Sequence, residues 1–327
     1  MTTRRDLLIA LGAGGCALPF LSFAQQSAKV ARIGYLGPTS AESAAPRLAA
    51  LRKGLRELGR IEGKNLVIEF RWADDQYDRL PALAAELVQL KVDLIVTHGT
   101  PGTRAAKKAT STIPIVMAIS GDALLTGLVA NLKRPDGNIT GSTFFNPELA
   151  AKRLEVLKDT FPAIKRIAVL HNPDNPAMAT VLDAMVQTAK AKKLELQQVG
   201  ARNPKEFPEA FAMMVKHRAE ALVVIEDGML NGHLKTIADL ALGRKLPAIG
   251  LPEFADAGAL LAYGVNLVQM FERAAVFIDK ILKGVKVKEL PVERASTFET
   301  VINMKTAKAL GVKFPDSMRL RADRVVE

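Results

Sequence analysis

Continuous runs of apolar residues alternate along the chain with segments whose apolar residues recur every three or four positions. The first third contains the runs "VARIGYLG", "NLVIEFRWA", "VDLIVTHG" and "IPIVMAISG". Continuous apolar runs of this length predict strands of a parallel sheet that is covered on both faces. Between them lie the helix-like segments "RLAALRKGLRELG", "LPALAAELVQL" and "PGTRAAKKATS". This alternation predicts a doubly wound α/β sheet.

The same order of elements begins again at residue 165. The strand-like runs are "KRIAVLHN", "LELQQVGA", "EALVVIED" and "LPAIGLPE", and helices are predicted over residues 176–192, 204–217 and 234–244. The sequence therefore predicts two doubly wound parallel-sheet lobes. Since open parallel sheets bind ligands at the carboxyl ends of their strands, two facing sheets predict a cleft.

The segment "ISGDALLTGLVANLKRPDGNITGST" joins the two predicted lobes. A strand ends at Gly121, a short helix-like run follows, residues 134–138 break it, and a Thr/Ser-rich extended segment comes next. The strands and helices predicted later in the chain occur singly, as expected of segments that cross back to complete the earlier lobes. We expect crossings near residues 138–146, 263–266 and 297–304, forming a hinge that closes by bending. The predicted lobes are residues 29–143 plus about 267–296, and residues 144–266 plus about 297–327.

Residues 1–26 resemble a signal peptide. Arg4 and Arg5 precede an apolar run, and small residues precede a cleavage site after Ala24. Export to the periplasm is expected. The adjacent arginines resemble a twin-arginine signal, which would direct export by the twin-arginine route. Cleavage after Ala24 is favoured over lipidation of Cys16. A membrane anchor is disfavoured because glycines and Pro19 interrupt the run.

The chain of 327 residues carries a formal net charge of +11, with 49% hydrophobic and 5% aromatic residues. Its basic residues are scattered along helical faces, and no helix-turn-helix or zinc-finger pattern accompanies them, so a nucleic-acid partner is not expected. Cys16 is the one cysteine and lies in the leader. The exported chain is therefore expected to lack an internal disulfide.

Residues 93–141 resemble the ABC-transporter substrate-binding protein family that is related to tryptophan- and tyrosine-binding proteins. The family text runs close to "DP-V-x-x-G-L-V-x-S-L-x-R-P-G-G-N-x-T-G". Here Ala123, Asn131 and Asp136 depart from it. The residues that match are Asp122, Gly127, Leu128, Val129, Leu132, Arg134, Pro135, Gly137, Asn138, Thr140 and Gly141.

This resemblance covers almost all of residues 29–327 and implies the type I periplasmic binding fold. It implies a non-enzymatic receptor, here expected to be monomeric, that delivers a small solute to an ABC permease and its ATPase. An amino acid or an organic acid is the expected solute. Association with the membrane is expected only through the permease.

A catalytic function is the alternative to a receptor. The sequence has no Gly-x-Ser-x-Gly elbow, no phosphate-binding loop and no Cys-x-x-Cys pair. The histidines, at positions 98, 171, 217 and 233, lack metal-ligand spacing, so no metal or cofactor is expected. A secreted enzyme or a solute sensor on the same fold stays the alternative, since fold alone does not fix function.

Polar residues near the carboxyl ends of the predicted strands are the candidate ligand contacts. Helix N-termini at Thr100 and Asn175 suit an anionic group, although Thr100 would serve equally as a helix cap. Carboxylates such as Asp227 suit an ammonium group, and Tyr35 suits an apolar portion. The full set is Tyr35, Thr39, Ser40, His98, Thr100, Gly102, Asp122, His171, Asn172, Asn175, Asp227, Glu253 and Asn266.

The kind of solute is left open between two chemistries. The resemblance implies an acidic group near the "YGV" strand end, where this chain has Asn266. An amide donates as well as accepts, so it suits a ligand carboxylate or hydroxyl. Asp227 would supply the missing negative charge if the solute is an amino acid.

Overall fold

A computed structural model describes residues 30–327 and contains two sheets. The first sheet has the strand order β11-β5-β4-β3-β1-β2, and all its pairings are parallel. Its strands are β1 (Ala31–Gly37), β2 (Leu66–Trp72), β3 (Leu94–Thr97), β4 (Ile115–Gly121), β5 (Ile139–Phe144) and β11 (Glu293–Arg294). The predicted signal peptide and Cys16 lie outside the described residues.

The second sheet repeats this arrangement, with the order β13-β12-β10-β9-β8-β6-β7. The β10–β12 pair is antiparallel and the other pairs are parallel. Its strands are β6 (Arg166–His171), β7 (Glu195–Gly200), β8 (Ala221–Val224), β9 (Ala248–Gly250), β10 (Leu261–Gly264), β12 (Glu299–Asn303) and β13 (Arg324–Val326). We call each sheet with its helices a lobe.

Helices cover the sheets, and for that reason every residue of β3, β4, β5, β8 and β9 is buried. The helices are α1 (Ala41–Glu57), α2 (Leu80–Gln89), α3 (Gly99–Ala109), α4 (Asn146–Thr160), α5 (Met178–Ala191), α6 (Phe207–Lys216), α7 (Gly228–Gly232), α8 (Leu234–Gly243), α9 (Pro252–Asp256), α10 (Leu267–Leu282), α11 (Met304–Leu310) and α12 (Asp316–Arg321). Short 3₁₀ turns occur at Tyr77–Arg79, Pro204–Glu206 and Val287–Glu289. Within residues 30–327, none of these helices has the length and apolarity that crossing a bilayer requires.

The chain passes between the lobes at three points of the described part. After β5, helix α4 packs against α5 and β10 of the second lobe. After β10, helix α10 returns to pack against α1 and β4 of the first lobe. Strands β11 and β12 then join different sheets, which makes the third crossing. The lobe bounds drawn from the sequence stay a prediction.

The structure differs from the expected elements after β4. The predicted helix-like run is a single capped turn, in which the Asp122 carboxylate accepts from the Leu124 and Leu125 amides. Gly127, at φ 67°, ends it, and the Leu128 amide donates back to the Ala123 carbonyl. A glycine in the left-handed region stops a helix in this way.

Two other segments were predicted incompletely. The run "LPAIGLPE" forms only the short strand β9 before α9 begins at Pro252, a favourable first position of a helix. The charged C-terminal segment adds α12 and strand β13, which pairs with β12.

Candidate ligand-binding site

A pocket lies between the lobes, at the carboxyl ends of their strands. This is where ligands bind in open parallel sheets. The first lobe contributes chiefly Arg47, His98, Thr100, Ser120, Phe144 and Phe271. The second lobe contributes chiefly Asn146, Asn175, Glu226, Asp227 and Asn231.

Arg47 is a buried cation on the first-lobe wall. It belongs to α1, and only 7% of its surface is exposed. Its Nη2 donates to the Ser43 carbonyl at 3.0 Å, whereas its Nη1 is buried with no hydrogen-bond partner. None of the ion pairs among residues 30–327 includes Arg47. Burial lowers the pKa of the guanidinium, opposed by Tyr35 and Glu253. A buried charge without a partner is costly, so this site is suited to an anion.

His98 lies beside Arg47 as a neutral imidazole. Burial, and secondarily the Arg47 charge, lower the pKa of His98 to about 3. Burial raises the pKa of the Tyr35 hydroxyl, which lies 3.4 Å from His98 Nδ1. The other ring nitrogen, Nε2, is buried without a hydrogen-bond partner. In the tautomer that carries its proton on Nε2, His98 offers a second donor to a ligand on this wall.

The N-terminus of α3 completes the donor wall. Gly99, at φ 70°, lets the chain turn from β3 directly into the helix, and His98 at the N-cap makes no side-chain capping bond. The Thr100 hydroxyl lies 3.4 Å from Ser120 Oγ in the pocket wall. The first amides of a helix attract anionic groups. Arg47, His98 and α3 therefore place positive charge and donors on one side.

The second-lobe wall carries acceptors. The side-chain oxygens of Asn146 and Asn231 are buried without hydrogen-bond partners. Glu226 lies beside them, but both its oxygens accept from Arg153, which is fully buried. Arg153 also donates to the Tyr263 carbonyl at 2.8 Å. Glu226 is thus neutralised by its own cation, and the amide oxygens are left for a ligand donor.

Asp227 is bound by the protein at both oxygens. Oδ1 accepts from Asn172 Nδ2 and from the Met229 and Leu230 amides, at 3.2, 3.0 and 3.3 Å. Oδ2 accepts from Asn175 Nδ2 and the Tyr77 hydroxyl, both at 2.9 Å. Burial raises the pKa of Asp227, and these donors oppose the shift. A ligand ammonium has no free oxygen on Asp227, although the carboxylate contributes its charge to the pocket.

Four of the predicted contacts line the pocket: His98, Thr100, Asn175 and Asp227. Two others, Tyr35 and Asn172, lie directly behind it. The Tyr35 hydroxyl is within hydrogen-bonding distance of His98 Nδ1, and Asn172 Nδ2 donates to Asp227 Oδ1. Others serve helices: Ser40 caps α1, Asn266 caps α10, and Glu253 Oε1 accepts from the Leu267 amide. The rest lie elsewhere: Asp122 in its capped turn, Thr39 near Gly228 and Gly232, Gly102 against Thr97, and His171 near Gly200.

Sequence reasoning missed several residues that line the pocket. Arg47 had a detectable signal, because an arginine there interrupts the buried stripe of Ala44, Leu48, Leu51 and Leu55 on α1. Glu226 also had one, because it follows β8 directly before Asp227. Other missed lining residues include Ser120, Phe144, Asn146, Asn231 and Phe271.

Comparison with protein families decides the class of the molecule. The model described as "ABC transporter substrate binding protein" matches residues 33–326. The chain belongs to this family. The family binds solutes, and the α/β fold with two parallel-dominated sheets is that of type I periplasmic binding proteins, as predicted. Among the described residues, no group of three or more His, Cys, Asp or Glu side chains could hold a metal ion.

Two proteins whose names state a bound amino acid are similar to this chain over most of its length. A tyrosine-binding protein of Clostridioides difficile (strain R20291) is 29% identical over 274 residues, 84% of this chain and 77% of that protein. A solved domain from Streptococcus pneumonia in complex with L-Trp is 26% identical, with TM-score 0.82 over 90% of this chain and 99% of that one.

Overall structural similarity differs between the complex with L-Trp and a ligand-free protein. A ligand-free, open substrate-binding protein from Clostridium difficile covers a similar share, 91% of this chain and 99% of that one, at 25% identity. Its TM-score is only 0.62, against 0.82 for the complex with L-Trp. The present structure is thus more similar to the complex with L-Trp than to the ligand-free, open protein.

Proposed function

We propose that this protein is an exported receptor that binds a zwitterionic amino acid between its lobes and delivers it to an ABC permease. The observation that carries the proposal is the buried Arg47 Nη1 atom, which has no partner in the protein. A ligand carboxylate would accept from this atom and from His98 Nε2. Such charge-assisted bonds are strong in a buried site.

The charges of the pocket favour a ligand with no net charge. On the pocket wall Arg47 carries a positive and Asp227 a negative charge, Glu226 is paired with Arg153, and Glu253, outside the wall, acts on Arg47 as a further negative charge. A simple carboxylate would add another negative charge to this buried site, which is unfavourable. A zwitterion adds no net charge.

The ammonium of that zwitterion would lie on the opposite wall. Asn146 Oδ1 and Asn231 Oδ1 are free acceptors there, and an ammonium is a donor without acceptor capacity. The nearby charges of Glu226 and Asp227 would stabilise it without a direct bond. Donors thus lie on one lobe and acceptors on the other. This separation would orient the ligand, and a ligand bound to both walls would stabilise the closed arrangement of the lobes.

The ligand's side chain would lie on the apolar part of the wall. Ile119, Phe144, Leu267 and Phe271 line the pocket, and Phe271 meets the His98 ring edge-on at 5.3 Å. Aromatic walls suit an apolar or aromatic side chain. The ligands of the two similar proteins, tyrosine and tryptophan, support this choice.

Membership of a family of ABC-transporter substrate-binding proteins supports delivery to a permease and its ATPase as part of this proposal. Such proteins are typically exported, so we propose a periplasmic receptor that acts as a monomer and performs no catalysis. The predicted leader is in keeping with this location.

A thermal-shift screen tests the proposed function. A ligand at roughly 100 times its dissociation constant raises the free energy of unfolding by about 2.7 kcal/mol. We expect amino acids with aromatic or large apolar side chains to raise the melting temperature. A panel of aromatic carboxylates without an amine serves as the matched control. Shifts from those carboxylates alone would favour an organic-acid receptor, and turnover of a compound without any shift would favour an enzyme.

A further inference from the structure

Tyr77 joins the two lobes outside the pocket wall. It lies in the 3₁₀ turn after β2, in the first lobe. Its hydroxyl donates to Asp227 Oδ2 at 2.9 Å and accepts from the Met229 amide at 3.0 Å, both in the second lobe. Both partners belong to the start of α7. The hydroxyl is thus fully used by groups across the cleft.

Asp227 is held rigidly for this contact. Asn172 and Asn175 donate to its two oxygens from the loop after β6, and it caps α7 through Oδ1. All of these partners except Tyr77 belong to the second lobe. Separation of the lobes would therefore leave Asp227 in place and remove only the Tyr77 donor.

The surface of α7 that meets the first lobe is made of glycine. A Cβ atom on Gly228 would lie 3.0 Å from the Tyr77 hydroxyl and 3.4 Å from Pro38 Cβ. A Cβ atom on Gly232 would lie 3.2 Å from Ser43 Oγ. Every atom close to either position belongs to the first lobe, so these contacts exist only when the lobes are closed. Neither glycine has a positive φ that would exclude alanine.

A second pair of polar contacts surrounds this glycine surface. Ser43 Oγ donates to the Gly232 carbonyl at 3.3 Å, and His233 Nε2 lies 2.8 Å from Asp75 Oδ2. Each contact again joins one lobe to the other. The area around α7 is thus a specific interface between the lobes and not a chance approach of two surfaces.

We propose that Tyr77 is a positioning residue for ligand capture, which stabilises the closed arrangement by binding Asp227 and Met229 across the glycine surface of α7. Tyr77 does not itself line the pocket and acts through Asp227, so it governs chiefly how long a ligand is retained. The inference rests on the proposed function for the identity of the ligand, but the closure contact itself is independent of any ligand.

The kinetic consequence follows from the position of the contact. A ligand associates with separated lobes and leaves after they separate, so loss of the closure contact accelerates dissociation and leaves association unchanged. Removing one hydrogen bond to a buried carboxylate is expected to raise the dissociation rate roughly tenfold or more.

The test compares Tyr77→Phe and Gly232→Ala with the wild-type protein, because Gly232 meets the first lobe without lining the pocket. Phenylalanine keeps the ring and removes the hydroxyl, whereas alanine keeps the hydroxyl and obstructs the approach of the lobes. Gly243→Ala is the matched control, because it lies in the same lobe and a Cβ there would meet nothing within 4 Å. The radius of gyration of each ligand-free protein is measured by small-angle X-ray scattering, and L-tyrosine dissociation by stopped flow.

Both test variants should have a larger radius of gyration than the wild type and Gly243→Ala, and should release L-tyrosine faster at an unchanged association rate. An equal radius of gyration in all four proteins would overturn the inference. A wild type that does not bind L-tyrosine would count against the proposed ligand class, and the scattering comparison would still decide the role of Tyr77.

Discussion

Replacing Arg47 with methionine is expected to abolish measurable binding of the amino acid while leaving the fold intact. Truncating one partner of a buried, hydrogen-bonded charge pair costs about 2 to 5 kcal/mol, which weakens affinity by roughly 30-fold to several thousand-fold. The ligand-free protein should lose little stability, because the buried guanidinium forms no direct ion pair and loses only its bond to the Ser43 carbonyl and the attraction of Glu253. A large loss of affinity is thus expected without a comparable loss of stability.

Calorimetric titration measures the affinity of this variant, and urea denaturation measures its free energy of unfolding. Arg52→Met is the matched control. Arg52 lies on the same helix, but it is partly exposed and pairs with Glu62 at 2.7 Å. An exposed pair of this kind contributes about 0 to 1 kcal/mol, so affinity should be retained. Undiminished affinity in Arg47→Met would show that the ligand carboxylate is bound elsewhere.

Replacing Arg153 with methionine is expected to destabilise the protein by roughly 3 to 5 kcal/mol, because it leaves Glu226 as a buried charge without a partner. Arg153 is fully buried and also donates to the carbonyls of Val224 and Tyr263, so β8 and β10 lose a shared donor. Urea denaturation of the ligand-free protein measures the loss.

The double variant Arg153→Met with Glu226→Gln separates the two causes. The amide removes the uncompensated charge, so part of the stability should return. Lys152→Met is the control on the same helix, since the Lys152–Glu155 pair lies on the surface and should change stability by less than about 1 kcal/mol. A double variant no more stable than the single one would assign the loss to packing and to the carbonyl bonds instead of the charge.

The sequence predicted the fold well where the hydrophobic pattern is long. Continuous apolar runs such as residues 115–121 belong to strands covered on both faces, and their length suits a strand and is short for a buried helix. The short helices α7 and α9 were missed because five residues are too few to show a period. The run after Asp122 has helical spacing, but Gly127 ends it after one turn.

The candidate site was predictable only in part, for reasons of geometry. His98, Thr100 and Asp227 follow strands, and the rule that ligands bind at strand ends finds them. Arg47 lies in the second turn of a helix and not at a strand end, so the strand-end rule does not find it. The role of Asp227 depends on Tyr77, 150 residues away along the chain. Only the folded arrangement reveals that its oxygens are already bound.

Calorimetric titration with three matched compounds tests the central claim most directly. The compounds are the amino acid that gives the largest thermal shift, its analogue without the amine and its analogue without the carboxylate. The account predicts that the amino acid binds and that each analogue is weakened by at least roughly 10-fold, since each loses one charge-assisted interaction in a buried site. Equal binding of the analogue without the carboxylate would contradict the role of Arg47, and equal binding of the analogue without the amine would contradict a zwitterionic ligand.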